Sequence, residues 1–165
     1  MGSAASLIAP GLRPLPHATR QQVFTALFNF LTNLPAPTGT RWNTQSQYLT
    51  LWDDVPQANQ PAWFLYRGPQ NFTQKHVFGV QKLLWRVSIF IYFRTDGYKS
   101  QNFYPDQITD QILDNLEQLF QTEARDGRQT LGGTVWHCWI EGNIVTDPGL
   151  VDGQAVIVCP INILL

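Results

Sequence analysis

The segment from Leu84 to Arg94 is the part of the sequence that most constrains the fold. Apolar side chains occupy every second position, which predicts a β-strand because successive side chains of a strand point to opposite faces of a sheet. The face expected to line the core consists of Trp85, Val87, Ile89, Ile91 and Phe93. The other face consists of Arg86, Ser88, Phe90, Tyr92 and Arg94. This second face is half aromatic and half basic, so we expect it to contact another subunit.

Two helices are predicted on either side of the strand region. Thr19 and Gln22 form a capping box, in which two side chains satisfy backbone N–H groups at a helix start. The first helix follows and ends before Pro35 and Pro37, and its apolar residues at helical spacing are Val23, Phe24, Leu27, Phe28, Phe30, Leu31 and Leu34.

The second helix is predicted over residues 105–122, with Pro105 at a first-turn position that tolerates proline. Its apolar stripe consists of Ile108, Ile112, Leu113, Leu116, Leu119 and Phe120. Asp106, Asp110 and Asp114 repeat at four-residue spacing on the opposite side. We expect these three carboxylates to face away from the core.

Further strands are predicted before and after the second helix. A first strand region covers about Arg41 to Trp52, and a tight connection joins it to an apolar strand from Ala62 to Arg67. Gly68 to Gly79 is predicted to be a loop or the tip of a long hairpin. The C-terminal third contributes the strands Thr134–Ile140 and Ala155–Leu164, with Pro160 marking an edge or a bulge.

The order of these elements predicts an α+β fold. A mostly antiparallel sheet flanked by two main helices would form a single compact domain over residues 17–165. Residues 1–16 contain prolines and small residues without a period, so we expect an extended N-terminal arm.

The composition favours contact with other proteins. Charged residues make up 14% of the chain, below the usual level of about 25%, and neutral amides take their place. The formal net charge is −1, so no nucleic-acid groove is predicted. Cys138 and Cys159 lie in apolar runs and are expected to be buried free thiols. We expect no leader and no membrane segment, because no apolar run approaches the roughly 20 residues of a membrane span.

Two short motifs resemble ligand sites without completing them. Gly127 to Gly132 has the glycine spacing of a phosphate-binding loop, but Gly133 stands where that motif needs a lysine, which favours a surface loop. His137 and Cys138 are neighbours on a strand and would point to opposite faces, so they cannot share one metal ion.

Carboxylates and cations give no stronger signal for a catalytic, cofactor or metal site. Asp53 and Asp54 would suit a catalytic pair, but a turn capped by Asp is the simpler interpretation. The aspartates of the second helix would suit a divalent ion, but a solvated helix face is simpler. The basic residues form no run and do not predict direct DNA binding: Arg41, Arg67, Lys75, Lys82, Arg86, Arg94, Lys99, Arg125 and Arg128.

Several phrases, taken in order, resemble the phage tail terminator family, whose members are also described as tail-completion or head–tail joining proteins. Residues 51–66, LWDDVPQANQPAWFLY, resemble that family's "w.dv…q.PAlf" phrase. Ile108 to Asp114 resembles its "iN.iLD" helix. Glu141-Gly142, Asp152-Gly153-Gln154 and the final strand resemble its closing hairpin, so the resemblance covers about residues 19–165. Trp63 departs from the family's usual small aliphatic residue, and Asn102 precedes the expected helix asparagine.

The resemblance implies a structural virion protein and no catalysis, cofactor or metal. Members of the family form rings, usually of six copies, at the head-proximal end of a phage tail. The ring docks on the last tail-tube ring, stops tube growth and offers a surface to the neck or head, and DNA passes through its lumen. We therefore expect three partners: the chain itself in a hexameric ring, the tail-tube protein and a neck or head-completion protein. Assembly would take place in the host cytoplasm.

The expected contact residues follow from the aromatic and charged positions. They are Arg41, Trp52, Asp53, Asp54, Phe72, Phe78, Arg86, Phe90, Tyr92, Arg94, Tyr98, Phe103 and Tyr104. The regions Gly68–Gly79 and Thr95–Tyr104 are expected to dock on the tube or the neck, because loops without a core role rarely need so many aromatic rings. The stripe of Asp106, Asp110 and Asp114 is expected to face solvent or the lumen.

Two alternatives remain open from the sequence. The chain would also suit another phage neck, connector or tail structural protein of similar α+β build. A small hydrolase that uses Asp and His side chains is the second alternative. Association into a ring would separate both phage interpretations from a monomeric enzyme.

Overall fold

A computed structural model describes residues 18–73, 82–96, 104–122, 127–149 and 153–165, and the predicted N-terminal arm lies outside them. Two helices and six strands are formed by these residues. In chain order they are α1 (Arg20–Leu31), β1 (Thr44–Ser46), β2 (Ala62–Thr73), β3 (Lys82–Arg94), α2 (Pro105–Thr122), β4 (His137–Ile140), β5 (Val145–Asp147) and β6 (Gln154–Leu164). Two short 3₁₀ turns, Trp52–Asp54 and Gln57–Asn59, lie between β1 and β2.

The described strands form one mixed sheet in the order β1-β2-β3-β6-β4, and β5 pairs with the same strand as β4. Only β1 and β2 run parallel; the other pairs are antiparallel. β3 lies in the middle and pairs along most of its length with β2 and β6. The chain therefore has the predicted α+β fold, with a mostly antiparallel sheet in a single compact domain.

The main core lies between one face of the sheet and the two helices. The alternation in β3 is confirmed, because the residues from Trp85 to Phe93 at odd positions are fully buried. Ala155, Ile157, Cys159, Ile161 and Ile163 extend this face on β6 and are also fully buried. We call this side of the sheet the inner face and the opposite side the outer face.

Aromatic contacts fix both helices on the inner face. The ring of Phe24 stacks on Trp85 at a centroid distance of 5.7 Å, and Phe28 lies 5.3 Å from Trp63. Phe30 meets Phe120 edge to face at 5.1 Å and joins the two helices. The capping box is present, since Gln22 N–H donates to Thr19 Oγ1 and Thr19 N–H donates to Gln22 Oε1. The predicted bounds of α2 are confirmed.

The first strand region, predicted over about Arg41 to Trp52, does contain a strand, but its predicted length is wrong. Only Thr44–Ser46 forms a strand, and Trp52 begins a 3₁₀ turn. Because β1 is parallel to β2, the connection between them must cross over and cannot be a tight turn. Leu49 and Val55 use their apolar side chains to pack on the outer face of the sheet.

The ambiguous segment after β2 continues a long hairpin. β2 extends to Thr73 and pairs with β3 through a register shift between Arg67 and Gln70. Gly68 lies in this shift, and a Cβ there would stand 2.6 Å from the backbone oxygen of Arg86. The close approach explains why glycine occupies this position. Residues 74–81 are outside the described residues.

Pro160 lies inside β6 and disrupts the neighbouring edge of the sheet. Glu141 N–H donates to the Pro160 carbonyl at 3.3 Å, so the missing N–H of Pro160 also points toward that edge. β4 ends at Ile140 and β5 begins at Val145, and the break between them lies opposite Pro160. The predicted irregularity therefore occurs in the partner strand.

Both cysteines are buried free thiols, as predicted. Burial raises the pKa of the Cys138 thiol far above its ordinary value. Burial, and then the nearby charge of Glu117, raise the pKa of Cys159 to about 12. Reactive thiolate is therefore scarce in the folded chain at neutral pH.

We predict that a thiol reagent such as Ellman's reagent modifies neither cysteine in the native chain at pH 8. Both should react after unfolding in denaturant. The raised pKa values imply that the neutral thiols contribute stability that is fully present below about pH 8.5 and is lost as the pH rises toward the folded pKa values. Thiol titration of wild type beside Cys138→Ser and Cys159→Ser checks this, and rapid native modification would contradict the burial.

Candidate interaction surface

Within the described part of the chain, the outer face of the sheet is covered at one end. Residues 47–60, which we call the strap, cross this end and bury Ala62, Phe64 and Tyr92 in a second, smaller cluster. Val55 of the strap belongs to this cluster, and Leu49 packs against it. Neither helix lies on this side, because both belong to the main core.

Amide side chains hold the strap in place. Gln60 Nε2 donates to Gln154 Oε1 at 2.9 Å and to the Val55 carbonyl at 3.3 Å. Asn43 Nδ2 donates to the Gln60 carbonyl at 2.5 Å. Gln60 and Gln154 are both buried, so these hydrogen bonds are shielded from water and fix the strap over the end of β6.

Neither described helix lies over the remainder of the outer face, although Phe90 packs against the edge of the cluster beneath the strap. We call this remainder the open face, and its residues are Tyr66, Leu84, Arg86, Ser88, Phe90, Trp139, Val145, Val158, Pro160 and Asn162. Tyr66 is 48% exposed and Val145 is 60% exposed. The Tyr66 and Phe90 rings meet at 6.2 Å, close to edge on. An apolar sheet surface of this kind is typical of a protein contact site.

A small polar network interrupts the apolar surface. Glu141 Oε2 accepts hydrogen bonds from Trp139 Nε1 at 2.7 Å and from Asn162 Nδ2 at 2.8 Å. Asn162 is only 4% exposed, and its Oδ1 has no hydrogen-bond partner. Arg86 is the direct cross-strand neighbour of Asn162 and is exposed. The open face therefore presents a cation, Arg86, beside its aromatic side chains, whereas the Asn162 Oδ1 is enclosed beneath the surface.

A cluster of cations and aromatic rings lies at the hairpin end of the open face. The Trp136 ring, 39% exposed, has Lys82 Nζ at 5.0 Å and the Arg128 guanidinium at 4.9 Å from its centroid. His137 stacks on Trp139 at 4.7 Å, and its Nδ1 accepts the Gln129 N–H at 3.2 Å. We call Lys82, Arg128, Trp136 and His137 the cationic corner. Each cation is attracted to the face of the indole ring.

The predicted contact residues of β3 fall into two groups. Arg86 and Phe90 belong to the open face, in agreement with the predicted outer surface. Tyr92 is buried beneath the strap, and burial raises its pKa, so it stabilises the chain itself. Arg94 forms an ion pair with Asp96 at 2.7 Å. The strap therefore covers Tyr92, and the ion pair engages Arg94, at the end of β3 that the alternation alone predicted to contact another subunit.

The other predicted contact residues are dispersed. Trp52, Asp53 and Asp54 are exposed on the strap, and Arg41 is exposed just before β1. Phe72 is 63% exposed near the end of β2, and Tyr104 is 71% exposed beside the start of α2. Phe78, Tyr98 and Phe103 lie outside the described residues.

The aspartates of α2 are exposed, as expected for a side opposite the buried Ile108 and Ile112. Glu117 is also exposed and lengthens the stripe. We call Asp106, Asp110, Asp114 and Glu117 the acidic stripe. Within the described part of the chain, none of these carboxylates forms an ion pair. No group of three or more His, Cys, Asp or Glu side chains among the described residues has an arrangement that could hold a metal ion.

The two incomplete ligand motifs have structural roles. Gly127, Gly132 and Gly133 are exposed, so the glycine-containing segment between α2 and β4 is a surface loop, as predicted. His137 lies on the outer face, whereas Cys138 is buried on the inner face, so the predicted opposite orientation is confirmed. No described helix is long and apolar enough to cross a lipid bilayer.

Several surface residues were missed from the sequence. Tyr66 and Val158 follow from the alternation of β2 and β6, once those strands are placed beside β3. The cationic corner gives no local signal, because Lys82 and Arg128 belong to distant segments. Tyr48 and Leu51 are exposed on the strap. Their exposure could not be predicted because the sequence pattern assigns this segment to a strand region.

Comparison with known proteins adds no assignment. Neither the models of known protein families nor the curated proteins match this chain.

We predict that replacing Asp106, Asp110 and Asp114 together by Asn leaves the free energy of unfolding of the isolated subunit unchanged within about 0.5 kcal/mol, because charges that are exposed in a single chain contribute little. Loss of their mutual repulsion stabilises α2, whereas loss of Asp106 weakens its interaction with the helix dipole. Thermal unfolding with EDTA and with Mg²⁺ measures both effects.

The matched control is Asp147→Ala, because Asp147 Oδ1 accepts the Gly149 N–H at 2.9 Å. This variant should lose roughly 0.5–1.5 kcal/mol. A wild-type melting temperature that falls with EDTA, together with a triple variant that is insensitive to EDTA, would indicate a metal site and contradict the prediction.

Proposed function

We propose that this chain is the subunit of a phage tail terminator ring, which caps the tail tube at its head-proximal end and joins it to the neck or head. The observation that carries the proposal is the open face. It is a continuous sheet surface on which Tyr66 and Val145 are exposed and Phe90 is half-buried, and neither described helix covers it. The ordered phrases of the sequence supply the family context.

Energetics support a protein partner for this surface. Full burial of one large apolar side chain contributes roughly 1.5–3 kcal/mol relative to exposure. Phe90, Val158 and Pro160 are half-buried already, so a partner gains only part of that amount at each position. Summed over the open face, the gain is enough for a specific contact if the two surfaces are complementary in shape.

A closed ring is the assembly that suits both the surface and the resemblance. Soluble homo-oligomers usually close by point symmetry, and a cyclic ring buries one pair of complementary surfaces at each contact. The low charged fraction of 14% also suits a subunit with two lateral contacts and two docking ends. The exposed rings of Phe72 and Tyr104 are candidates for docking on the tube or neck.

We predict that Phe90→Glu converts the assembled protein to monomers, because a carboxylate would be buried in the apolar contact. Val145→Glu should act in the same direction and is safer for the fold, since Val145 is exposed on β5. Asn29→Glu, on the exposed side of α1, introduces the same charge away from the open face and should have no effect. Light scattering should give about six times the 18.8 kDa chain mass for wild type and the control.

Thermal unfolding of each variant shows whether the monomer remains folded. If the Phe90→Glu and Val145→Glu proteins are folded and keep the wild-type mass, the open face is not part of the subunit contact. A wild-type protein that is monomeric at all concentrations would contradict the ring itself and favour the alternative of a small enzyme.

We predict that Phe72→Ala and Tyr104→Ala, combined in one chain, leave the ring intact but weaken capping of the tail tube. Both side chains are exposed and project from element ends, so their loss should not affect the core. Electron microscopy of tails assembled with this variant should show tubes of irregular and increased length. The control is Tyr48→Ala on the strap, and tails of normal length from the double variant would refute the docking role.

A further inference from the structure

The open face and α2 carry opposite charge. Arg86 lies within the open face, and the cationic corner at its end adds Lys82 and Arg128. Two carboxylates on this side of the sheet already accept hydrogen bonds: Glu141 from Trp139 and Asn162, and Asp147 from the Gly149 N–H. On α2, by contrast, the acidic stripe presents four carboxylates, and the helix contains no lysine or arginine.

The two charged surfaces cannot meet within one chain. The acidic stripe lies on the exposed side of a helix packed on the inner face, whereas the open face is on the other side of the sheet. In a second copy, the same stripe is available. A ring of more than two subunits needs two different surfaces at each contact, and these two surfaces meet that requirement.

The dimensions of the two surfaces agree. Asp106 to Glu117 extends over about 16 Å at the helical rise of 1.5 Å per residue. The distance from Arg86 to Lys82 along β3 is about 13 Å at the rise of a β-strand. The Arg128 guanidinium lies 4.9 Å from the Trp136 ring centroid, and Lys82 Nζ lies 5.0 Å from the same centroid. The stripe can therefore place carboxylates near Arg86 and near the cationic corner at the same time.

The ends of the two surfaces also agree in polarity. Tyr104 is exposed immediately before the stripe begins, and Phe90 and Val158 lie beyond Arg86 on the open face. A helix laid along the strands would place its tyrosine on this apolar part and its carboxylates on the cations.

We propose that α2 of one subunit docks along the open face of the next, with the acidic stripe against Arg86 and the cationic corner. This inference rests on the proposed ring and specifies its subunit contact. It replaces the lumen as the environment of Asp106, Asp110 and Asp114. The occupant is a second copy of the chain, because its own surface supplies the complementary charge; nucleic acid on the same cations is the competing outcome.

Charge reversal tests the contact in both directions. Arg86→Glu with Arg128→Glu reverses the open face, and Asp110→Lys with Asp114→Lys reverses the stripe. Each pair should raise the ring's dissociation constant about ten-fold or more. All four substitutions in one chain restore opposite charge and should recover most of the wild-type affinity. Sedimentation velocity across a concentration series at low and at high salt measures these constants.

Two matched controls and a milder variant complete the experiment. Asn29→Glu and Asn29→Lys introduce charge of either sign on the exposed side of α1, outside both surfaces, and should leave assembly unchanged. Arg86→Gln with Arg128→Gln removes the cations without adding charge near Glu141, so it protects the test from misfolding and should weaken the ring less. Higher salt should weaken both wild type and the four-substitution chain, since screened charges attract less.

Each alternative result overturns the inference in a distinguishable way. If the ring forms with every charge reversal, the acidic stripe faces the lumen or solvent. The proposal of a ring would then stand without this subunit contact. Two half-reversals that break the ring without mutual rescue would mean that the surfaces contact different partners. A third result would be that the wild-type chain binds duplex DNA and that the Arg86→Glu, Arg128→Glu variant loses this binding while its ring mass is unchanged. That result would assign the cations to nucleic acid. A monomeric wild type would remove this inference together with the ring.

Discussion

The central strand β3 is the constraint on which the rest of the structure depends. It pairs on both sides, with β2 and β6, so its backbone hydrogen bonds are satisfied within the sheet. Its inner side chains, from Trp85 to Phe93, require an apolar layer, and α1 and α2 supply that layer. Its outer side chains are too apolar for water at full exposure. The strap covers one end of them, and the open face is the part that remains.

This division explains why fold and proposed function are connected. An antiparallel sheet can leave one face in water when that face is polar. Here Tyr66, Phe90, Val145 and Val158 lie on the side that neither described helix covers, so the described part of one chain leaves apolar surface there. In the proposed ring, a second copy would cover this surface as the helices cover the inner face. The opposite charges of α2 and of the cationic corner would then set the direction of the proposed contact.

Much of the fold could be predicted because its elements have a local period. The alternation of β3, the capping box of α1 and the stripe of α2 each depend on neighbouring residues alone. The strap could not be predicted in this way. Leu49 and Trp52 look like parts of a strand region and Val55 like part of the turn after it, but their positions depend on a sheet face formed by β2, β3 and β6. The parallel pairing of β1 with β2 is likewise a tertiary result.

The candidate surface could be predicted only in part for the same reason. Arg86 and Phe90 follow from the alternation of a single strand. The burial of Tyr92 and the ion pair of Arg94 depend on segments that are distant in sequence. The cationic corner exists because pairing of β6 with both β3 and β4 brings Lys82 near Arg128 and Trp136. In the sequence these cations are isolated residues.

Electron cryo-microscopy of the purified wild-type chain tests the central claim most directly, because it shows both the assembly and the surface that each contact buries. The account predicts closed rings of six subunits in which Tyr66, Phe90 and Val145 lie within the contact between neighbours. Monomers at micromolar concentration, or rings in which the open face remains exposed to solvent, would contradict it.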